Sequence, residues 1–187
     1  YSRHIAFKDI TASLDIHKLV DTLRACSEYL KKMGIKKPKM AVASLNPHSG
    51  ESGMFGREEI DILIPAVQSA QKSGIAVEGP VSADSVFHLA KEGYYDAVLS
   101  LYHDQGHIPT KFDGFIYDHQ TQRWTMQGVN VTLGLPIIRT SVDHGTAYDL
   151  AGTGKASPDS LVAAVKMADA MAERLERAAR CEVRGRP

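Results

Sequence analysis

Apolar residues recur every three or four positions between Asp15 and Gly34, which is the spacing of one face of an α-helix. The apolar positions are Ile16, Leu19, Val20, Leu23, Cys26, Tyr29, Leu30 and Met33. Asp15 is a residue type that caps helix N-termini, and glycine is typical of the position just after a helix. The pattern therefore predicts a helix between these two residues.

Short apolar runs and helical patterns then alternate along the chain. The predicted order is a strand over 39–45, a helix over 58–73, a strand over 75–77, a helix over 82–91 and a strand over 96–101. We expect Gly79-Pro80 to lie beyond the second strand. Strands that alternate with helices are joined by crossovers, which gives a largely parallel sheet flanked by helices. The predicted fold class is therefore α/β.

Beyond Gly106 the pattern changes to shorter extended pieces, which could form hairpin-like arms. They cover 115–117, 123–125, 129–133 and 137–138. A final helix is predicted from Pro158 to about Arg180, with Leu161, Val165, Ala168 and Leu175 on one face. The Arg-rich tail beyond it is expected to be frayed or disordered.

The composition argues against a membrane-spanning protein, a nucleic-acid-binding protein and a disulfide-rich or Cys-rich zinc protein. The chain has 187 residues, of which 43% are hydrophobic and 24% charged, and no stretch approaches the roughly 20 apolar residues of a membrane-spanning helix. Lys plus Arg (22) equals Asp plus Glu (22), so nucleic acid is not an expected partner. Cys26 and Cys181 indicate neither a disulfide framework nor a Cys-rich zinc site, and a cytoplasmic location is expected. Because the chain lacks an initiator Met, we expect an excerpt or a processed form.

Three of the eight histidines stand where strands end. His48 follows the first predicted strand, His103 follows the third, and His4 precedes a helix, where a preceding strand would deliver it. Open α/β sheets bind ligands beyond the carboxyl ends of their strands. Three imidazoles there could hold zinc, iron, cobalt or nickel with one position open, although histidines that only form hydrogen bonds within loops would have the same spacing. Asp104 could orient the His103 ring or move a proton.

Two further groups of residues could bind ligands. Lys111, Asn130 and Arg139 are spaced along the arm region, where an Arg and a Lys could hold a carboxylate or phosphate, or could simply be solvated. The stretch 143–158 is a long glycine-rich loop before the final helix, and loops of this length are usually functional. It lacks the GxGxxG pattern of ordinary dinucleotide sites.

Five motifs together closely resemble the PdxA family, 4-hydroxythreonine-4-phosphate dehydrogenase and its PdxA2-like relatives, from Tyr1 to about Met171. They are Leu45-Asn46-Pro47-His48, Phe55-Gly56-Arg57-Glu58-Glu59-Ile60, Tyr102-His103-Asp104-Gln105-Gly106, Val129-Asn130-Val131-Thr132-Leu133-Gly134-Leu135-Pro136 and Arg139-Thr140-Ser141-Val142-Asp143-His144-Gly145-Thr146-Ala147. The resemblance implies an isocitrate/isopropylmalate-dehydrogenase-like fold and a homodimer with a shared active site.

The same resemblance implies the roles of individual residues. The family's metal ligands match His4, His48 and His103, drawn from both subunits, and its substrate contacts match Lys111, Asn130 and Arg139. The stretch 144–158 is similar to the adenosine-binding loop of isopropylmalate and isocitrate dehydrogenases. It implies NAD binding at His144, Gly145, Asp149, Gly152 and Gly154.

The implied reaction is oxidation of a secondary alcohol on a phosphorylated four-carbon hydroxy acid, with hydride passing to NAD and decarboxylation expected to follow. Zinc is the expected metal, with magnesium, manganese or cobalt as alternatives, and Asp104 and Lys111 are the catalytic candidates. Candidate substrates are 4-phosphohydroxy-threonine, an intermediate of pyridoxine biosynthesis, and threonate or erythronate 4-phosphate. A non-catalytic chain that folds, dimerises and binds metal or phosphate is the competing interpretation, and a metal hydrolase is a third.

Two departures from the family pattern qualify these expectations. The family's first half, with a His-Thr pair that helps to bind substrate, has no counterpart here, so this chain alone could be inactive. The stretch 113–128 is longer than in the biosynthetic enzymes, which favours a PdxA2-like member. We therefore expect an α/β metal-site region over 1–112, an extended arm with strands over 113–142, the cofactor loop and final helix over 143–180, and a tail over 181–187.

Overall fold

A three-stranded parallel sheet organises the first part of the chain in the computed structural model, which describes residues 1–120, 123–126 and 128–184. The chain divides into two compact units between His107 and Ile108. The first unit contains α1 (Ile10–Ser13), α2 (Ile16–Lys32), β1 (Met40–Ala43), a π-helical turn (Glu59–Leu63), α3 (Ile64–Lys72), β2 (Val77–Val81), α4 (Ala83–Lys91) and β3 (Ala97–Leu99). The strand order is β2-β1-β3, and both pairings are parallel. The predicted α/β class is confirmed.

Helix α2 has the boundaries that the sequence predicts. The Asp15 side chain accepts a hydrogen bond from the Lys18 backbone N–H at 2.9 Å, which caps the first turn. The helix ends at Lys32, and Gly34 follows with a φ of +94°. The N-cap and the terminating glycine therefore act as their residue types suggest.

Alternate residues of β1 fill the two layers on either side of the sheet. Met40 and Val42 join a core formed with α2 and α3, whereas Ala41 and Ala43 pack with Val86 of α4. All four residues of β1 are buried. Since successive side chains of a strand point to opposite faces, this central strand fixes both helical layers.

The prediction of the second strand, over 75–77, was wrong at both ends. The N–H of Ile75 bonds to the carbonyl of Ala70, so Ile75 belongs to the cap that closes α3. Strand β2 instead runs through Gly79-Pro80. Proline is tolerated at sheet edges and bulges, and β2 is an edge strand whose register with β1 slips by one residue between Ala41 and Ala43.

A helix that the sequence did not predict follows β3. Helix α5 spans His103–Gly114 and includes Pro109. Its only buried residue is the polar Gln105, so the segment lacks the apolar periodicity on which the sequence prediction relied. A Cβ on Gly106 would stand 2.7 Å from Ser100 Oγ, so glycine here permits close packing of α5 on the end of β3.

The second unit contains two antiparallel hairpins and a long helix, which confirms the predicted arms. The strands are β4 (Phe115–Asp118) paired with β5 (Arg123–Met126), and β6 (Val129–Thr132) paired with β7 (Arg139–Val142). The extended piece predicted at 137–138 was wrong, because β7 begins at Arg139, opposite Thr132. The stretch 113–128 lies partly outside the described residues, as does the end of the tail.

Helix α6 spans Asp159–Arg184 and packs against β6 and β7. Ser160 and Ala164 are buried, and the Thr140 hydroxyl donates to the Ala164 carbonyl at 2.9 Å. Leu161 and Val165, which share the apolar face predicted for this helix, are exposed. The packed face combines Ser160 and Ala164 with Met171, which is also buried. The apolar pattern alone did not reveal this face. No helix among the residues described here is long and apolar enough to cross a membrane.

Candidate functional site

The opening segment of the chain lies beside the end of β3. The Tyr1 amino group donates to the Ser100 carbonyl at 2.6 Å, and the Ser2 N–H donates to the Leu101 carbonyl at 3.0 Å. His4 lies two residues after Ser2, and His103 lies two residues after Leu101. The pairing therefore brings the two imidazoles together, with ring centroids 5.8 Å apart.

This separation suits two imidazoles on one metal ion. Zinc–nitrogen bonds of about 2.0–2.1 Å would place the centroids of two rings on a tetrahedral ion roughly 5–6 Å apart. Within the described part of the chain, however, no group of three His, Cys, Asp or Glu side chains is placed to hold a metal. One chain thus presents His4 and His103 as a neighbouring pair, and the participation of His48 stays a prediction.

The His103 ring is held from two sides. Asp104 Oδ1 lies 2.7 Å from His103 Nδ1, and the His107 ring stacks on it with centroids 4.3 Å apart and planes 28° from parallel. An ionised carboxylate only accepts hydrogen bonds, so Nδ1 is the donor in this contact, and in the neutral ring the lone pair is then on Nε2. A carboxylate on the outer nitrogen is the usual support of a metal-binding histidine.

His48 lies in a left-handed turn at the end of β1. Five consecutive residues, from His48 to Ser52, have φ between 42° and 77°. Four of them are not glycine, and the left-handed conformation costs a non-glycine residue about 1–2 kcal/mol. Strained backbone of this kind persists only where surrounding contacts hold it. The His48 ring is exposed and lies 6.5 Å from Phe55, centroid to centroid.

Gln105 joins the loops that carry His48 and His103. Its side chain is buried, and its Nε2 donates to the Ser44 carbonyl at 2.7 Å. Its Oε1 accepts the Leu101 N–H at 2.8 Å. One side chain therefore satisfies a backbone group beyond β1 and another beyond β3, and it fixes the spacing of the two strand ends.

In the second unit, two predicted substrate residues share one face of the β6–β7 hairpin. Thr132 pairs with Arg139, and Asn130 lies two residues before Thr132 on the same strand. Residues opposite each other, and residues two apart on one strand, point to the same face of a hairpin. Asn130 and Arg139 are both exposed, and Arg139 Nη1 donates to Thr132 Oγ1 at 2.6 Å.

Lys111, the third predicted substrate residue, lies in the last turn of α5. Its ammonium group is 5.8 Å from the centroid of the Phe115 ring. The second unit therefore carries all three candidates for substrate binding. The first unit carries the candidate metal ligands and Asp104.

The predicted cofactor loop is exposed from His144 through Asp159. Gly152 and Gly154 have φ of +74° and +71°, so the path of the backbone itself favours glycine there. Gly145 has no positive φ, and a Cβ on it would meet nothing within 4 Å. Open space beside Gly145 is compatible with a ligand, so the cofactor assignment stays a prediction.

Three residues of the site were missed by sequence reasoning: Gln105, His107 and Glu59. His107 had a usable signal, because histidines four apart on a helix share a face and commonly act together at metals. That signal required the prediction of α5. Gln105 and Glu59 lie within two of the quoted motifs, but their hydrogen-bond partners are distant in sequence, so the motifs do not reveal their structural roles.

Comparison with known proteins identifies the lineage of the chain. Residues 1–168 match the sequence model of the pyridoxal phosphate biosynthetic protein PdxA. The chain belongs to the PdxA family. It is 52% identical over 167 residues to a Clostridium botulinum protein provisionally named a D-threonate 4-phosphate dehydrogenase, covering 89% of this chain and 47% of that protein.

Two further proteins to which the chain is similar extend this comparison. A Bradyrhizobium diazoefficiens protein with the same provisional name is 48% identical over 172 residues, covering 91% of this chain and 50% of its own. The crystal structure of 4-hydroxythreonine-4-phosphate dehydrogenase from Klebsiella pneumoniae superposes with a TM-score of 0.79 at 42% identity, covering 91% of this chain and 49% of that chain. The chain thus spans about half the length of these relatives. It shares the fold of the part of the Klebsiella enzyme that it covers.

Proposed function

We propose that this PdxA-family chain serves a dehydrogenase that oxidises the secondary alcohol of a phosphorylated four-carbon hydroxy acid, with NAD as the hydride acceptor. D-threonate 4-phosphate is the first candidate substrate, because the relatives 48% and 52% identical carry that name. The candidates 4-phosphohydroxy-threonine and erythronate 4-phosphate follow. The observation that carries the proposal is the pairing of His4 with His103 at the carboxyl end of the sheet, 5.8 Å apart.

The two paired imidazoles, together with His48, are proposed to hold one divalent cation. Zinc is the first choice, because imidazole nitrogen suits it, and magnesium, manganese and cobalt are the alternatives. Since a single chain presents a pair, the complete ligand set is proposed to form in a homodimer, with ligands from both copies. When bound there, the cation would polarise the substrate oxygen and stabilise negative charge on it.

The chain's own residues supply positioning and binding. Asp104 holds the His103 ring through Nδ1, so that Nε2 keeps a fixed direction. Arg139 and Asn130 present a guanidinium and an amide on one hairpin face, a combination that suits a carboxylate or phosphate group. The Thr132 hydroxyl fixes one nitrogen of the Arg139 fork and leaves the remaining donors for the substrate. Lys111 is proposed to add a second cation.

The proposed NAD site is the loop over 144–158. The N–H groups around Gly145 would approach adenosine closely, and His144 and Asp149 would offer polar contacts. His144 Nδ1 already lies 2.9 Å from the Gly145 carbonyl, which fixes the imidazole against the loop.

The test is NADH formation, followed by absorbance, from each of the three acid phosphates in the presence of Zn²⁺ or Mn²⁺. The 187-residue chain and the full polypeptide of its gene are assayed side by side. We expect the full polypeptide to form NADH fastest from D-threonate 4-phosphate. Absence of NADH with every substrate would contradict the dehydrogenase proposal, and product formation without nicotinamide would favour a hydrolase. NADH from the full polypeptide alone would mean that this chain is a non-catalytic part of the enzyme.

A further inference from the structure

The left-handed turn that carries His48 rests on one buried carboxylate. Glu59 is 2% exposed, although it is an ionisable residue. Its Oε1 accepts the backbone N–H groups of Leu45 and Asn46 at 2.8 and 2.7 Å, and its Oε2 accepts the Asn46 amide at 2.8 Å. In each of these hydrogen bonds the donor is an N–H group of a residue just before the turn, and Glu59 is the acceptor.

Two glycines leave room for this hydrogen-bonded network, one beside the Glu59 carboxylate and one beside the Asn46 amide. A Cβ on Gly50, inside the turn, would stand 2.8 Å from Glu59 Oε2. A Cβ on Gly56 would stand 2.5 Å from Asn46 Nδ2. The turn is therefore folded against the carboxylate itself, and not only tethered to it through Leu45 and Asn46.

The local backbone and the charge balance set Glu59 apart from an ordinary core residue. It begins a single π-helical turn, Glu59–Leu63, an irregularity often found at functional sites. None of the ion pairs within the described residues includes Glu59. A buried carboxylate that no cation neutralises is costly unless N–H donors surround it, and here those donors belong to the His48 loop.

We propose that Glu59 is a positioning residue for His48: its buried carboxylate holds Leu45, Asn46 and the left-handed turn so that the imidazole faces the divalent cation. This inference rests on the proposed metal role of His48. It predicts that the cation affinity depends on Glu59 although Glu59 touches neither the cation nor the substrate.

The test compares Co²⁺ binding by the wild-type chain, Glu59→Gln and Glu51→Gln, by calorimetric titration and by the visible spectrum of the bound cobalt. The Glu59→Gln amide must turn its NH2 toward a donor, so we expect cobalt to bind about 10–100-fold more weakly, as is usual when a supporting residue is lost, with an altered spectrum. Glu51→Gln is the control, because Glu51 is an exposed carboxylate in the same turn. It removes the same charge and should leave binding close to wild type.

A second measurement, amide hydrogen exchange without metal, separates positioning from general stability. In Glu59→Gln the Leu45 and Asn46 amides should exchange faster while those of β1 keep wild-type protection. Equal cobalt affinity and spectra in wild type and Glu59→Gln would overturn the inference alone. Equal loss in Glu51→Gln, or loss of the folded circular-dichroism spectrum in Glu59→Gln, would also overturn it. A wild-type chain that binds no cobalt would instead overturn the proposed metal site.

Discussion

Among single residues, Gln105 has the clearest energetic role at the candidate site. It is 8% exposed and bonds to the Ser44 carbonyl and the Leu101 N–H, which lie beyond two neighbouring strands. A buried backbone group that loses its partner costs about 1–3 kcal/mol. The Gln105 amide therefore contributes to stability through two groups at once.

Gln105→Leu should accordingly lower the free energy of unfolding by about 2–4 kcal/mol, since it leaves both groups unpaired with little change in volume. Urea denaturation followed by circular dichroism measures this loss. Gln68→Leu, at an exposed position of α3, is the control and should change stability by less than about 0.5 kcal/mol. A Gln105→Leu variant as stable as the control would contradict the role assigned to the amide.

Tyr95 and Glu78 form a hydrogen-bonded pair at the amino end of the sheet, and the pKa values of both are shifted. The Tyr95 hydroxyl donates to Glu78 Oε2 at 2.8 Å, and Lys39 Nζ lies 3.1 Å from Oε1. The Tyr95 bond, followed by Lys39, lowers the pKa of Glu78 below its ordinary value of 4.5. Burial, followed by the Glu78 bond, raises the pKa of Tyr95 from 10.0 to about 12.

These shifts predict two pH windows in which stability is lost. A lowered carboxyl pKa stabilises the folded state above about pH 4.5, and this contribution disappears as the pH falls. A raised tyrosine pKa stabilises it below pH 10.0, and this contribution disappears as the pH rises through about 12. In Tyr95→Phe the free energy of unfolding should depend less on pH in both windows. Urea denaturation at a series of pH values measures this dependence. Tyr148→Phe, at an exposed tyrosine, is the control and should keep the pH dependence of the wild type. If Tyr95→Phe also kept it, the Tyr95–Glu78 pair would not be the source of this dependence.

At the scale of elements, sequence reasoning succeeded where local signals determine the structure. Asp15 caps α2 through its own side chain, and the alternation of apolar runs with helical patterns identified β1, α4 and α6. It failed at β2 because Gly79-Pro80 normally ends a strand, whereas an edge bulge accommodates it. It failed at α5 because this helix is held by polar Gln105 and by close packing at Gly106.

The candidate site divides in the same way. Three histidines at strand ends were predicted from the order of elements, and the structure brings His4 and His103 together. The left-handed turn at His48 could not be predicted, since four of its five residues are not glycine. Bonds from the Met54 and Phe55 N–H groups to the Glu51 and Gly50 carbonyls close it, and Gly50 lies against Glu59. Distant contacts of this kind have no signature in the local sequence.

A pair of glycine substitutions can test whether the bulge in β2 needs glycine because it lies so close to β1. Gly79 has a φ of +141°, and a Cβ there would stand 2.7 Å from the Val42 carbonyl oxygen. Gly34 has a φ of +94° with open space around it. Gly79→Ala should therefore cost about 2 kcal/mol or more, and Gly34→Ala about 1 kcal/mol, in urea denaturation. Equal losses of stability in the two variants would show that backbone strain alone, and not a clash with β1, accounts for the cost at Gly79.

The loop over 144–158 offers a test of the cofactor site that avoids such strain. Gly145 lacks a positive φ and has open space around it, so Gly145→Leu should leave the melting temperature unchanged. We expect this side chain to occupy the space proposed for adenosine and to weaken NAD binding at least about tenfold in calorimetric titration, a loss of about 1.4 kcal/mol. Cobalt binding serves as the control and should persist. Unchanged NAD affinity would place the cofactor elsewhere.

At the scale of the whole molecule, the two units carry different parts of the proposed chemistry. The candidate metal ligands His4, His48 and His103 belong to the first unit, and Lys111, Asn130 and Arg139 belong to the second. The chain also spans about half the length of its PdxA relatives. In the proposed function, the cation ligands are thus residues of the first unit and the substrate contacts are residues of the second.

The most direct test of the central claim is NADH formation from D-threonate 4-phosphate by the full polypeptide with wild-type His103 and with His103→Ala. His17→Ala, at an exposed histidine of α2, is the matched control, and bound metal is quantified in each protein. The account predicts that His103→Ala loses both bound metal and NADH formation, while His17→Ala keeps both. Undiminished NADH formation by His103→Ala would contradict it.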